Sequence, residues 1–454
     1  MKKGLVFSEQ HLWKTFLVFV LPLVATNILQ NLSGTINSIF VGQFLGVDAI
    51  AAVSVFFPIL FCLMAFVIGL SAGTTILVGQ AWGAQNIERV QQVVGTTLFL
   101  TFFGGLIIAA FGIVFAPHFL QILGVDQKIL PLAIPYMCSM LAGSPLLFVY
   151  IIYTSVLRGV GDSITPLVAL LMTSLLGLVI TPAFIQGYWG LPKLGIVAPA
   201  IASITGNIAV LIFLAVYLNF KQHPLRPNRH FLKQLRLQPQ LAKAILKLGI
   251  PTGIQMVTTS LAGLVVVSLV NQYGAHATAA YGAVNQVLNY IQFPALSIAI
   301  ASSIFAAQAI GANKAYLLGK VLRTAMGMNL LITGSLIVLA YLFSWHLMAL
   351  FITEPSVMAL GQQLLFIMLW AVLFFGANAI FASIMRASGT VTAPMLINIG
   401  SILCIELPCA YLFSHFWGLK GIWFAYALAF VCLCLLQGGY YHFVWKKKSI
   451  HRLL

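Results

Sequence analysis

GQAWGAQN at residues 79–86 returns as AQAIGANK at 307–314, and each string closes a long apolar run where it meets a polar loop. Two further pairs stand at the same offset of about 228 residues: FAPHFLQIL (115–123) with FSWHLMALF (343–351), and LRGVGDSITP (157–166) with MRASGTVTAP (385–394). One spacing shared by three pairs marks an internal duplication, so whatever the first half builds the second builds again.

What each half builds follows from solvent. Hydrophobic residues make up 61% of the 454 and charged residues only 7%, against about 25% charged in a soluble domain. A bilayer core about 30 Å thick needs about 20 apolar residues per helix, and long runs such as 16–40 lack the strict alternation of an outer-membrane barrel. Apolar runs between charged or Gly/Pro-marked breaks predict spans at 14–40, 50–82, 92–116, 130–157, 166–187 and 195–220. A second set follows at 248–272, 279–311, 322–344, 357–384, 394–416 and 419–445. The expected fold is therefore an all-α polytopic membrane protein of about twelve transmembrane helices. Residues 1–220 form an amino-terminal six-helix lobe, 221–247 a polar linker and 248–454 a carboxy-terminal six-helix lobe. Six spans per half keep the halves parallel, related by a pseudo-twofold axis along the membrane normal, an arrangement that places a substrate cavity at the repeat interface. Residues 1–10 are polar and the first apolar run has no small-residue cleavage site, so that run is read as a retained helix.

The formal net charge of +16 does not imply nucleic acid, because the basic residues sit between spans rather than on one soluble face. Loops after even-numbered spans hold Arg89, Arg158, the linker cluster around Arg229, Lys314, Lys320, Arg323 and Arg386, and the tail adds Lys446, Lys447, Lys448 and Arg452. The opposite loops hold Lys128, Lys193 and Lys420. By the positive-inside rule both termini are expected in the cytoplasm and the chain in the inner membrane. All six cysteines fall within apolar runs, without metal spacing, and no metal or cofactor is expected. Neither HExxH nor paired intramembrane acids occur, which argues against an enzyme.

The run LPLVATNILQNLSGTINSIFVGQFLG (21–46), the GQAWGAQN end of the second span and LRGVGDSITP between the fourth and fifth, in that order and twice over, resemble the multidrug and toxic compound extrusion (MATE) family. That family lies in the superfamily that includes lipid-linked oligosaccharide flippases, and the match covers nearly the whole chain. The resemblance implies two six-helix lobes alternating between inward- and outward-open states and exporting drugs against a proton or sodium gradient. It also implies cation sites that this sequence lacks. One branch carries an aspartate in the first helix, where Asn37 stands, with an Asn and an Asp in the fifth, where Gly177 and Thr181 stand. Other members use a glutamate in the seventh helix and an aspartate in the tenth, where this chain has Gln255 and a tenth span without an acid after Glu354.

Uncharged polar groups inside spans must find partners or line water; Asn37, Gln255 and Asn285, with Tyr281 and Met256 as soft apolar surface, are the cavity candidates. Helix packing explains any one of them equally. Arg158, Asp162, Pro166, Arg386 and Pro394 mark loop motifs in which Gly and Pro punctuate turns, with Asp162 in reach of Arg158; orientation and helix termination account for these, and a hinge is the rival reading. Glu406 is the acid that falls inside a predicted span. It lies about 18 Å along the helix from Pro394 at about 1.5 Å per residue, and a charge there costs at least about 2.5 kcal/mol, so an intramembrane acid is functional by default. It is the candidate for cation coupling, the alternative being a hydrogen bond to a neighbouring helix. The sequence thus predicts a monomeric antiporter of organic, cationic or amphiphilic solutes, with the proton favoured over sodium. The rival is a flippase or exporter of a lipid-linked or metabolite substrate; a flippase of polyanionic lipid would want several mid-span Arg or Lys, which are missing.

Overall fold

Helices that are apolar on every side belong in lipid rather than in water, and the computed structural model is built of them. It describes residues 11–122 and 124–453; the polar segment 1–10, with Glu9, and Leu123, the last residue of FAPHFLQIL, lie outside the described residues. In chain order the helices are α1 (Leu12–Leu45), α2 (Val47–Gly83), α3 (Ile87–Ile122), α4 (Leu130–Gly159), α5 (Ile164–Gln186), α6 (Ala198–Phe220), the short α7 (Arg229–Lys233), α8 (Pro239–Asn271) and α9 (Ala275–Gly311). There follow α10 (Leu318–Met328), α11 (Gly334–Leu342), α12 (Ser344–Ala349), α13 (Pro355–Met368), α14 (Ala371–Ala387), α15 (Thr392–Ser401), α16 (Leu407–Trp417) and α17 (Leu419–Phe443). No strand occurs among the described residues. Eleven helices, continuous or nearly so, are long and apolar enough to cross a membrane, and α13 with α14, bent by 44°, makes a twelfth. Side chains such as Ile107, Val114 and Phe220 remain 70%, 68% and 84% exposed, which suits lipid and would be untenable in water at this density.

The duplication is written into the backbone. Left-handed residues pair at one offset of 228: Gly46 with Gly274, Gln85 with Asn313, Gly161 with Gly389, and Gly190 with Gly418, with φ between 60° and 94°. Each ends or precedes a helix, where a positive φ stops the ladder. Side chains follow suit: Phe115 meets His118 at 6.2 Å and Phe343 meets His346 at 6.3 Å, both edge-on.

The chain divides into two compact units. One comprises Ala25–Val78 and Asn86–Ile250. Its interior includes Val41, Phe56, Leu120, Met137 and Leu141. The linker belongs to this unit: Gln91 Nε2 donates to Pro224 O at 2.7 Å, Tyr153 Oη to Leu225 O at 2.6 Å and Thr96 Oγ1 to Arg236 O at 3.3 Å. Burial lowers the pKa of His223 in this linker, with Asp162 acting in the opposite sense; its Nδ1 accepts the Leu225 N–H at 3.2 Å. The seventh span is longer than the sequence suggests, since α8 begins at Pro239, a residue suited to a helix's first turn.

The other unit comprises the chain up to Val24, Gly79–Gln85 and Pro251–Leu454. Here the repeated GQAWG and AQAIG strings meet. A Cβ on Gly83 would lie 2.1 Å from Gln308 O, and one on Gly311 would lie 1.9 Å from Gln80 O. The two glycines are equivalent in the repeat, and each lets one helix backbone touch the other. Gln80 also donates to Ala387 O at 2.8 Å and accepts the Leu453 N–H at 2.8 Å, which ties the tail to the end of α14.

Two π-turns interrupt this unit, Asn329–Thr333 and Ile402–Glu406. The second precedes Pro408, which lacks an N–H for the ladder and forces a local adjustment. The first has no proline. Asn329 Nδ2 instead donates to Leu373 O at 3.1 Å, Thr333 Oγ1 donates to Asn329 Oδ1 at 3.1 Å, and Gly376 makes room for the amide. This insertion lies just after the α13–α14 break and is the physical cause we assign to the bend.

Candidate functional site

A cavity of about 300 Å³ opens within the first unit. The second half of α1 supplies Gln30, Ser33 and Asn37; α4 supplies Tyr150; α5 supplies Thr173, Ser174, Gly177 and Thr181; α6 supplies Ser203 and Asn207. Asn37, Gly177 and Thr181 therefore do meet around one space. A Cβ on Gly177 would touch nothing within 4 Å, so the absent side chain leaves room.

None of the lining residues is charged. Ser33 spends its proton on Leu29 O at 2.8 Å, which makes Ser174 the donor in the 2.7 Å Ser33–Ser174 contact between α1 and α5. Tyr150 neighbours Thr173, whose hydroxyl donates to Leu170 O at 2.9 Å. Gln30 and Asn37 are exposed and carry amides that hydrogen-bond to no other described residue. The result is a hydrogen-bonding surface set among Leu, Ile and Phe side chains, able to hold an uncharged polar group beside an apolar body.

The second unit gathers different chemistry. Glu406 ends the π-turn before α16, half-buried, and sits within electrostatic reach of Tyr426 on α17. Tyr281 on α9 lies within electrostatic reach of Tyr426 as well. The Tyr281 ring lies 5.3 Å from that of Trp423, which is 1% exposed with its indole Nε1 unpaired. A carboxyl and two phenols can hold or pass a proton, and the rings present faces attractive to a cation.

Gln255 and Met256 on α8 and Asn285 on α9 are half-buried and line neither this unit's apolar cavity nor the polar one described above. The apolar cavity, about 440 Å³, is lined by Tyr290, Val287, Phe343 and other apolar residues. Tyr426, Trp423, Ser174 and Asn207 were not singled out by sequence reasoning; one Tyr among 14 and one Trp among eight carry no signal of their own.

The loop motifs resolve into caps. Asp162 does not pair with Arg158: its Oδ1 accepts the N–H groups of Ile164 and Thr165 at 3.1 and 2.9 Å, and its Oδ2 accepts the Thr165 hydroxyl at 2.6 Å. It is an N-terminal cap for α5. Pro166 is buried in the first turn of α5, and Pro394 O accepts from Gln437 Nε2 at 2.9 Å near the start of α15.

The MatE family model matches this chain twice, at residues 22–183 and 251–412, close to the repeat offset. The chain is 42% identical over 449 residues, 98% of its length and 97% of the relative's, to "Probable multidrug resistance protein YoeA" of Bacillus subtilis. It is 25% identical to an "FAD transporter" of Shewanella oneidensis, over 85% of this chain and 84% of that one. Among solved structures, the Vibrio cholerae MATE transporter VcmN in its bent form superposes with a TM-score of 0.87 at 22% identity, covering 96% of this chain and 98% of the other. Duplicated twelve-span architecture, repeat motifs and near-full-length likeness agree, and the chain belongs to the MATE family of membrane transporters.

Proposed function

We propose that this transporter exports organic, cationic or amphiphilic drug-like solutes by antiport with alternating access, coupled to an inward cation gradient and to protons rather than sodium. The near-full-length likeness to YoeA, a protein named for multidrug resistance, supports the substrate class. The observation that carries the coupling is Glu406, a lone half-buried carboxyl near the phenol of Tyr426, which Tyr281 neighbours in turn. A sodium site would want several oxygen ligands around one point, whereas one carboxyl suffices for a proton. The polar cavity around Asn37 serves in this reading as the solute site, held by shape and hydrogen bonds. Purified protein in proteoliposomes tests the proposal. A proton gradient alone is expected to drive efflux of a cationic dye, and a sodium gradient alone is not; the reverse pattern overturns proton coupling.

A second reading draws on the uncharged, hydroxyl- and amide-lined cavity and on the relative named as an FAD transporter. It holds the solute to be a polar metabolite. Gradient-driven movement of a flavin nucleotide with no movement of the dye would favour it.

The orientation that goes with export is both termini and the linker in the cytoplasm of a monomer in the inner membrane, on the lysine and arginine asymmetry. A cysteine placed at Arg229, the start of α7, is expected to react with an impermeant maleimide only after cells are opened. Reaction in intact cells would invert the topology.

A further inference from the structure

Arg158 and Arg386 occupy equivalent places in the repeat, each in the last turn of a span, α4 and α14. Both are half-buried. Each donates to a serine three residues back, itself repeated in both halves: Arg158 Nη2 to Ser155 Oγ at 2.5 Å and Arg386 Nη2 to Ser383 Oγ at 3.4 Å. If these arginines served only to mark the cytoplasmic side, their long side chains would snorkel outward to water. They lean the other way, toward the helix's N-terminus and the membrane interior.

A guanidinium carries five N–H donors and no acceptor. Among the described residues neither arginine is paired with a carboxylate. The nearest acid in sequence, Asp162, is spent on capping α5, and its counterpart in the second half is Thr390, whose hydroxyl lies 3.3 Å from that of Ser388. Two equivalent cations are thus drawn inward along their helices, each with one side-chain hydrogen bond and no counter-anion among the described residues. Burying a charge without a partner costs several kcal/mol more than burying a pair, so a partner of opposite sign is wanted from outside the chain.

The geometry points to a pair of anion sites, one per half, in which the phosphate of an anionic membrane lipid is gripped by Arg158 and by Arg386. The planar fork of a guanidinium matches two phosphate oxygens, and basic pockets between spans on the cytoplasmic side take anionic headgroups. Recurrence selects the lipid over a transported solute. Tyr150, within electrostatic reach of Arg158, lines the polar cavity, whereas neither Arg386 nor the Ser383 it bonds lines either cavity described above. A solute would therefore serve one arginine, whereas a leaflet phosphate meets both at the same helix position.

The test uses the full-length protein in nanodiscs of phosphatidylcholine alone or with phosphatidylglycerol, reading the thermal unfolding midpoint and, by native mass spectrometry, the lipids retained. Phosphatidylglycerol is expected to raise the midpoint and to remain bound. Arg158→Gln and Arg386→Gln should each lose about half of that shift, since distant sites add, and the double variant should lose all of it. Should a glutamine variant fail to fold, Arg158→Lys and Arg386→Lys retain charge without the fork, and a reduced but measurable shift is expected from them. Inorganic phosphate added to phosphatidylcholine discs should have no effect. A phosphate-induced shift that the variants lose would make these free-anion sites and overturn the lipid assignment. A phosphatidylglycerol shift undiminished in the double variant, or absent in the wild type, overturns the sites altogether.

Discussion

Glu406→Gln is expected to fold and insert normally while losing gradient-driven efflux down to the passive leak. The substitution keeps the size of the side chain and its ability to accept a hydrogen bond, and removes only titration. At the wild-type position the carboxyl stands in a π-turn ahead of Pro408, beside Tyr426 and in the one span whose interior holds an acid. A π-turn leaves the ladder locally loose, so a change of charge at its last residue acts on backbone already prone to shift. Tyr426→Phe and Tyr281→Phe should be milder, because they remove a relay hydroxyl and leave the acid. The decisive comparison is efflux at a series of external pH values. A Glu406→Gln protein that pumps at the wild-type rate with the wild-type pH profile would make Glu406 a structural hydrogen-bonding group and move coupling elsewhere. A protein that binds dye normally and cannot concentrate it would place Glu406 at the coupling step.

Much of the fold was legible because lipid imposes a length on every crossing and duplication imposes a register. The predicted spans differ from the observed helices chiefly at their ends, as with α8, whose first residues look like polar linker yet are helical. Contacts made from a side chain to a backbone carbonyl were not legible: Gln91, Thr96 and Tyr153 hold the linker through the carbonyls of Pro224, Arg236 and Leu225, and any residue type presents a carbonyl. The same holds for the bend of the tenth span, which has no proline at its break and owes its shape to an asparagine on another helix. At the site, Asn37, Gly177 and Thr181 line one cavity, which only the fold brings together. The Glu406 neighbourhood was half visible: the acid announces itself by its depth, while Tyr426 is one aromatic residue on an apolar helix and needs three dimensions to acquire a role. Asp162 illustrates the opposite error, since proximity in sequence to Arg158 suggested an ion pair and the carboxylate had a better use three residues further on.

The glycines of the repeated motif should be among the least tolerant positions in the chain. An alanine at Gly311 would put its Cβ 1.9 Å from Gln80 O, and one at Gly83 would put it 2.1 Å from Gln308 O. These are backbone atoms inside helices, so relief requires the two helices to separate by more than an ångström instead of a side chain rotating away. Overpacking a core costs about 1–3 kcal/mol when side chains can yield, and here the cost should reach or exceed the top of that range. It would also strain the contacts that Gln80 makes with Ala387 and Leu453. Gly282→Ala is the internal control, because it lies on the same helix α9 with nothing within 4 Å of its Cβ; there alanine should gain up to about 1 kcal/mol of helix propensity. Thermal unfolding of the purified variants by fluorescence-detected size exclusion reads both effects. Gly83→Ala and Gly311→Ala are expected to melt far below the wild type or to fail to accumulate, and Gly282→Ala to melt at or slightly above it. If Gly311→Ala melts with Gly282→Ala, the two backbones are not in contact at the motif, and its twofold recurrence requires another physical reason.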